Sequence, residues 1–189
     1  WVDWMKQNLD PRFFYRAALK NGRRDPETYG TAICPREAFT AIDGYDETFR
    51  GWGGEDDDLY TRLSLLGGIS EAPYPHIFVE AIHHDDAERT LFHDIKSKNL
   101  QGLINILYME VKKYLLSIGI KNISIENRKS MMDKIQKQLS DNSNKIPKIF
   151  SIDLGKYEFR SENQSISIRI EKKRKFIVLG PRKLKVITY

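Results

Sequence analysis

Residues Gly51-Trp52-Gly53-Gly54-Glu55-Asp56-Asp57-Asp58 set three glycines and a tryptophan ahead of four consecutive carboxylates. Adjacent acids repel and raise one another's pKa, so such a cluster needs a helix N-terminus, a cation or a polar substrate beside it. Leu59, Leu63 and Leu66 follow at helical spacing, and Gly67-Gly68 ends the pattern. Glu55 to Asp58 are therefore predicted to form the first turn of a helix. The helix dipole favours each ionised carboxylate there by about 0.3–1 kcal/mol at an exposed position. Helix capping needs only one acid, so four behind a glycine turn point to a site.

The rest of the chain supplies elements around this turn. Apolar residues from Trp1 to Lys20 are irregular, and Asn21-Gly22 with Arg23-Arg24-Asp25-Pro26 marks a loop. Tyr29 to Cys34 reads as a short buried strand, and Pro35 opens a helix with Ala38, Phe39 and Ile42 on its apolar face, ended by Gly44. Ile77 to Ile82 reads as a strand that delivers His83-His84-Asp85-Asp86 to its end. Leu100, Leu103, Ile104, Leu107, Val111 and Ile118 lie on one helical stripe, stopped by Gly119. A more polar helix is predicted from Ile125 to Leu139, and Asp141-Asn142-Ser143-Asn144 with Pro147 reads as a linker. Beyond it Ile166, Ile168 and Ile170 alternate with polar residues, and 176–179 and 184–189 continue as strands, giving a small antiparallel meander of three or four strands. The chain thus divides into an α/β region over 1–120, a helix and linker over 121–146, and a basic β-rich appendage over 147–189.

A chain of 189 residues, 40% hydrophobic and 30% charged, suits one ordinary domain with or without a small appendage. No stretch approaches the roughly 18 consecutive apolar residues of a membrane-spanning helix. Trp1-Val2-Asp3-Trp4 has neither a basic region nor an apolar signal core, and reads as a cut rather than a natural start. The single Cys34 allows no internal disulfide. Charge is uneven: residues 1–94 carry 10 Lys+Arg against 18 Asp+Glu, a net of −8, and residues 95–189 carry 21 against 8, a net of +13. The basic half can meet a membrane surface or an acidic polymer, or be a solvated face. Nucleic acid is not expected, because aromatics spaced for base stacking are few there. Lys, Ile and Asn richness with one Cys points to a bacterial, cytoplasmic protein, peripheral to the inner membrane face where the basic half docks.

Trp52 offers a flat apolar face to a sugar ring, Gly53 and Gly54 let backbone approach a ligand, and an Asp just beyond can accept a hydroxyl proton. The alternative is a helix cap beside a core Trp. His83-His84-Asp85-Asp86 suits a divalent cation such as manganese or magnesium, with one His of the pair as ligand because strand neighbours point to opposite faces. An exposed hydrophilic loop is the alternative there. Cys34 reads as a buried, inert thiol, and no Ser nucleophile or phosphate-cradling glycine loop is present.

Taken in order, Tyr29-Gly30-Thr31-Ala32, Phe39, Asp43-Gly44-Tyr45-Asp46-Glu47, the octet 51–58, Arg62-Leu63 and Gly67-Gly68 resemble the metal-dependent glycosyltransferases of the GT-A fold, above all the galactosyltransferase C-terminal segment. The octet is similar to that of animal β-1,4-galactosyltransferases and of bacterial chondroitin-type polymerases, and the likeness covers about residues 28 to 118. It implies the C-terminal part of a GT-A (nucleotide-diphospho-sugar transferase) fold. It also implies inverting transfer of a galactose or N-acetylhexosamine type sugar from a nucleotide sugar, UDP-linked, to a carbohydrate acceptor. Asp56 matches the family's catalytic base. Trp52, Gly53, Gly54, Glu55 and Asp57 match substrate contacts, and His84, with His83 as fallback, matches the ligand of Mn2+ or Mg2+. The family's nucleotide-binding half and its Asp-x-Asp metal motif have no counterpart before Trp1, so the chain is expected to be the C-terminal part of a longer enzyme or a remnant. A non-catalytic carbohydrate-binding module, or a membrane- or polyanion-docking module, derived from such an enzyme is the alternative.

Overall fold

The computed structural model describes residues 1–81, 93–141, 149–155, 164–171, 175–179 and 184–188. It is mixed α/β, and its chain packs as two units: residues 1–47 with 53–93, and residues 48–52 with 94–189.

In the first unit, α1 (Val2–Asn8) leads into β1 (Phe13–Ala17), which is flanked by β2 (Ala32–Ile33) and β3 (Ser70–Tyr74) in the order β2-β1-β3. β1 runs antiparallel to β2, with Tyr15 opposite Ile33, and parallel to β3, with Tyr15 opposite Ala72. Strand residues alternate between faces. Phe14 accordingly packs with Ile42, Leu59, Tyr60, Leu63 and Ile69, while Tyr15 and Ala17 pack with Tyr74 and Trp4. Because both faces of β1 are covered, its sequence shows no polar alternation. α2 (Arg36–Ala41) and α3 (Glu55–Leu65) form where the apolar spacing places them. The strand expected over Tyr29–Cys34 is present only as the two residues of β2, and the one expected over Ile77–Ile82 is not found among the described residues, where His76–Phe78 form a 3-10 turn after Pro75. The strand in this region is β3, which starts seven residues earlier at Ser70 and is pinned by pairing with β1.

The second unit is built on α4 (Lys98–Ser117) and α5 (Ile125–Asp141). Ser97 caps α4 by accepting from the Leu100 N–H. Ile104, Leu107, Tyr108, Val111 and Leu115 of α4 bury against Met131, Met132, Ile135 and Leu139 of α5 and against Ile152. β4 (Ile149–Gly155), β5 (Gln164–Glu171), β6 (Lys175–Leu179) and β7 (Leu184–Thr188) form the expected antiparallel meander, with four strands in sequence order. Of the predicted linker, Asp141 is the last residue of α5, and Asn142-Ser143-Asn144 and Pro147 lie outside the described residues. Among the described residues, no helix is long and apolar enough to cross a membrane.

Candidate functional site

Glycine is required through the octet for a backbone reason. Gly51, Gly53 and Gly54 have φ of +74°, +89° and +92°, a region that side chains disfavour. Gly54 in this conformation is the N-cap of α3, with no side-chain capping bond, so the four acids are not caps. They occupy the first turn, as the spacing predicts, and the structure gives them four different environments.

Asp58 is buried and pairs with buried Arg62 one turn on, whose Nε donates to Asp58 Oδ2 at 2.7 Å. Arg62 Nη1 also donates to the carbonyls of Ile42 and Gly44, at 2.7 and 2.6 Å. This acid holds the fold and is withdrawn from chemistry. Asp57 accepts a short hydrogen bond from the Tyr29 hydroxyl. Tyr29 is held in turn, since its carbonyl accepts from the Tyr60 hydroxyl at 2.9 Å and the Arg16 guanidinium lies over both rings, 4.3 and 3.8 Å from their centroids.

Asp56 accepts from the Tyr45 hydroxyl at 3.2 Å and lies across the bare face of Gly30, where an added Cβ would stand 2.8 Å from Asp56 Oδ2. Burial pushes the Asp56 carboxyl above the ordinary Asp range; the Tyr45 hydrogen bond and the Arg16 charge oppose this, and the neighbouring Asp57 adds to it. Burial and the Asp56 charge together push Tyr45 up to about 12, so it remains a donor. Burial likewise raises Glu55, against hydrogen bonds from the backbone of Glu55 and Gly53. Glu55 Oε2 is buried with no hydrogen-bond partner among the described residues. A carboxylate with a raised pKa, oriented by one hydroxyl, is suited to accept a proton from a bound hydroxyl.

Gly51 and Trp52 belong to the second unit, where the indole is 40% exposed. Lys98 Nζ lies 4.2 Å from its ring centroid. An exposed Trp at this position is a surface platform and not core packing.

Residues 12–86, which contain the whole octet, match the family model described as the N-terminal domain of galactosyltransferase. This segment resembles the galactosyltransferase family. The galactosyltransferase likeness extends to individual proteins. The chain is 32% identical over 98 residues to mouse (Mus musculus) beta-1,4-galactosyltransferase 6, covering 47% of this chain and 25% of that protein. Over 60 residues it is 42% identical to beta-1,4-galactosyltransferase 2 of Cricetulus griseus, covering 30% and 16%. Over 38 residues it is 42% identical to beta-1,4-galactosyltransferase 1 of Bos taurus, covering 20% and 10%. The chain therefore spans a quarter or less of the length of these relatives. No solved structure matches it. The family description names an N-terminal domain, whereas the sequence reading set the segment on the C-terminal side.

Within the matched segment, His83 and His84 lie outside the described residues, and among the described residues no three metal-ligating side chains cluster. Cys34 is half-buried rather than buried; it lines an open cavity of about 210 Å³ with Leu9, Phe13, Tyr15 and Ile33, and burial raises its thiol pKa. Tyr29, Gly30 and Tyr45 stood in segments already tied to the octet by order, but their pairing with Asp56 and Asp57 has no local signal. Arg16 carried none either.

Proposed function

We propose that the complete protein is an inverting, metal-dependent glycosyltransferase of the GT-A fold, with this chain as its C-terminal catalytic and acceptor-binding part. It moves a galactose or N-acetylhexosamine type sugar from a UDP-sugar to a carbohydrate hydroxyl. The observation that carries this reading is the Asp56 carboxylate, raised by burial and held between the Tyr45 hydroxyl and the bare face of Gly30, inside the galactosyltransferase-matched segment.

An acceptor hydroxyl is too weakly acidic to ionise beforehand, so Asp56 takes its proton as the oxygen bonds to the anomeric carbon and the bond to the nucleoside diphosphate breaks. That transition state carries oxocarbenium character. Asp57, held by Tyr29, binds the acceptor, and Glu55, Trp52 and the Gly53-Gly54 backbone contact substrate. Mn2+ or Mg2+, with His84 or its fallback His83 among the ligands, offsets charge on the departing diphosphate when bound. A peripheral, cytoplasmic setting at a bacterial inner membrane belongs to this reading, and the net charge of +13 over residues 95–189 suits the anionic membrane surface that it requires.

The complete enzyme, supplied with UDP-galactose or a UDP-N-acetylhexosamine, Mn2+ and a sugar acceptor, is expected to release UDP and form a disaccharide linkage. EDTA should stop the reaction and Mn2+ restore it. Acceptor binding with no donor turnover under any metal would instead assign a carbohydrate-binding module. Gly30→Ala probes the role of Asp56, because the three atoms nearest the new methyl all belong to the carboxylate end of that side chain. It should lower transfer by roughly 10- to 100-fold with little change in denaturant midpoint, since small misplacements of a reacting group cost this much. Wild-type turnover in that variant would show that the observed Asp56 position is not used.

A further inference from the structure

Arg16 lies two residues beyond Phe14 on β1, so its side chain leaves the same face of the strand, the face on which Phe14 stacks with Tyr60 of α3. It is only 6% exposed. A guanidinium in such a place is costly unless its charge and its N–H groups are met. Its polar bonds are long: Nη1 donates to Glu71 Oε2 at 3.3 Å and Nη2 to the Tyr29 carbonyl at 3.5 Å, while Nε has no hydrogen-bond partner among the described residues. The closest compensation is aromatic, from the Tyr29 and Tyr60 rings whose centroids lie 4.3 and 3.8 Å away. Glu71 is fixed in turn, since its Oε1 accepts from Arg24 Nη2 at 2.5 Å.

An apolar side chain would fill this space with no charge to desolvate, so the charge itself calls for a role. The role follows from what the Tyr29 ring carries. Its hydroxyl donates to Asp57 Oδ1. Burial and Asp57 raise the pKa of that hydroxyl and Arg16 opposes them, which leaves it a stronger donor than burial alone would. The same guanidinium holds both the Tyr29 carbonyl and the face of its ring, so the hydroxyl is kept on Asp57. A carboxylate ordered before its ligand arrives loses less entropy on binding. We propose that Arg16 is a positioning residue that, through Tyr29, sets the Asp57 carboxylate to receive the acceptor sugar. The inference rests on the reading of Asp57 as the acceptor contact.

The test is steady-state kinetics on the complete enzyme. Asp57→Ala should raise the acceptor KM with the donor KM little changed, which establishes the contact. Tyr29→Phe keeps the ring against the guanidinium and removes the hydrogen bond to Asp57, and should raise the same KM roughly 3- to 10-fold with kcat little changed. Arg16→Met should raise it to a similar extent. In the Tyr29→Phe background Arg16→Met should add nothing, a non-additivity that a general packing defect would not produce. Arg16→Lys keeps a cation beside the rings without the fork, so its rise should be smaller, and it carries the same cycle if Arg16→Met does not fold. A wild-type acceptor KM in the Arg16 variants, or full additivity with Tyr29→Phe, would overturn the proposal. The two readings fail separately: a wild-type acceptor KM in Asp57→Ala removes the acceptor contact, whereas a raised KM there with a normal one in the Arg16 variants removes only the positioning role.

Discussion

Asp56→Asn is expected to lower transfer by roughly 10²–10⁴-fold in the complete enzyme, the usual contribution of a positioned general base. The substitution is nearly isosteric, and an amide oxygen can still accept from the Tyr45 hydroxyl, so orientation over Gly30 survives while proton acceptance is lost. Acceptor affinity should be retained, because Asp57 and its Tyr29 partner are untouched. The pH profile offers a second readout. Burial raises the Asp56 pKa, so the acid limb of kcat/KM should lie above the ordinary Asp value of 3.8, and this limb should be missing from the residual activity of the variant. Stability moves the opposite way. A raised pKa means that the folded chain binds more protons than the unfolded chain between the two values. Asp56 therefore costs stability as pH rises from about 3.8 through its folded pKa, and Asp56→Asn should flatten that decline. Turnover at the wild-type level would remove Asp56 as the base.

The helices α2 to α5 and the strands β5 to β7 were legible because their patterns are local: a stripe at helical spacing with a glycine stop, or clean alternation between turns. β1 and β3 were not, for opposite reasons. β1 is buried on both faces and so carries no alternation, while β3, Ser-Glu-Ala-Pro-Tyr, is polar, contains Pro73 and owes its strand form to pairing along β1. Strand preference in such short segments reflects neighbours more than sequence. Ile77 to Phe78 misled because an apolar pair shortly after a proline resembles a strand start, yet Ile77 is 75% exposed.

The candidate site divides in the same way. Its location and helical register were readable from Gly51 to Asp58, but the division of labour among the acids was not. It is set by Gly30, Tyr29 and Tyr45, distant in sequence, and in one case by Arg62, one turn away.

Arg62→Leu is the substitution expected to cost the most stability, about 3–5 kcal/mol, the range for removing one member of a buried ion pair. The Arg62 and Asp58 side chains are only 8% and 4% exposed. Loss of the guanidinium takes a 2.7 Å partner from a buried carboxylate and a donor from two carbonyls at once. Those carbonyls, Ile42 and Gly44, flank Asp43, which with Gly44 adopts positive φ of 58° and 62°. Arg62 therefore ties α3 to this strained turn, and through it to Tyr45, the residue that orients Asp56. The substitution should lower the denaturant midpoint and, in whatever fraction remains folded, also lower transfer. Arg62→Lys keeps the charge but cannot reproduce the forked geometry, so it should fall between the two. Asp58→Asn with Arg62→Leu, which removes both charges, should be less destabilised than Arg62→Leu alone. A change under about 1 kcal/mol for Arg62→Leu would place the pair in the range of surface ion pairs and refute its structural role.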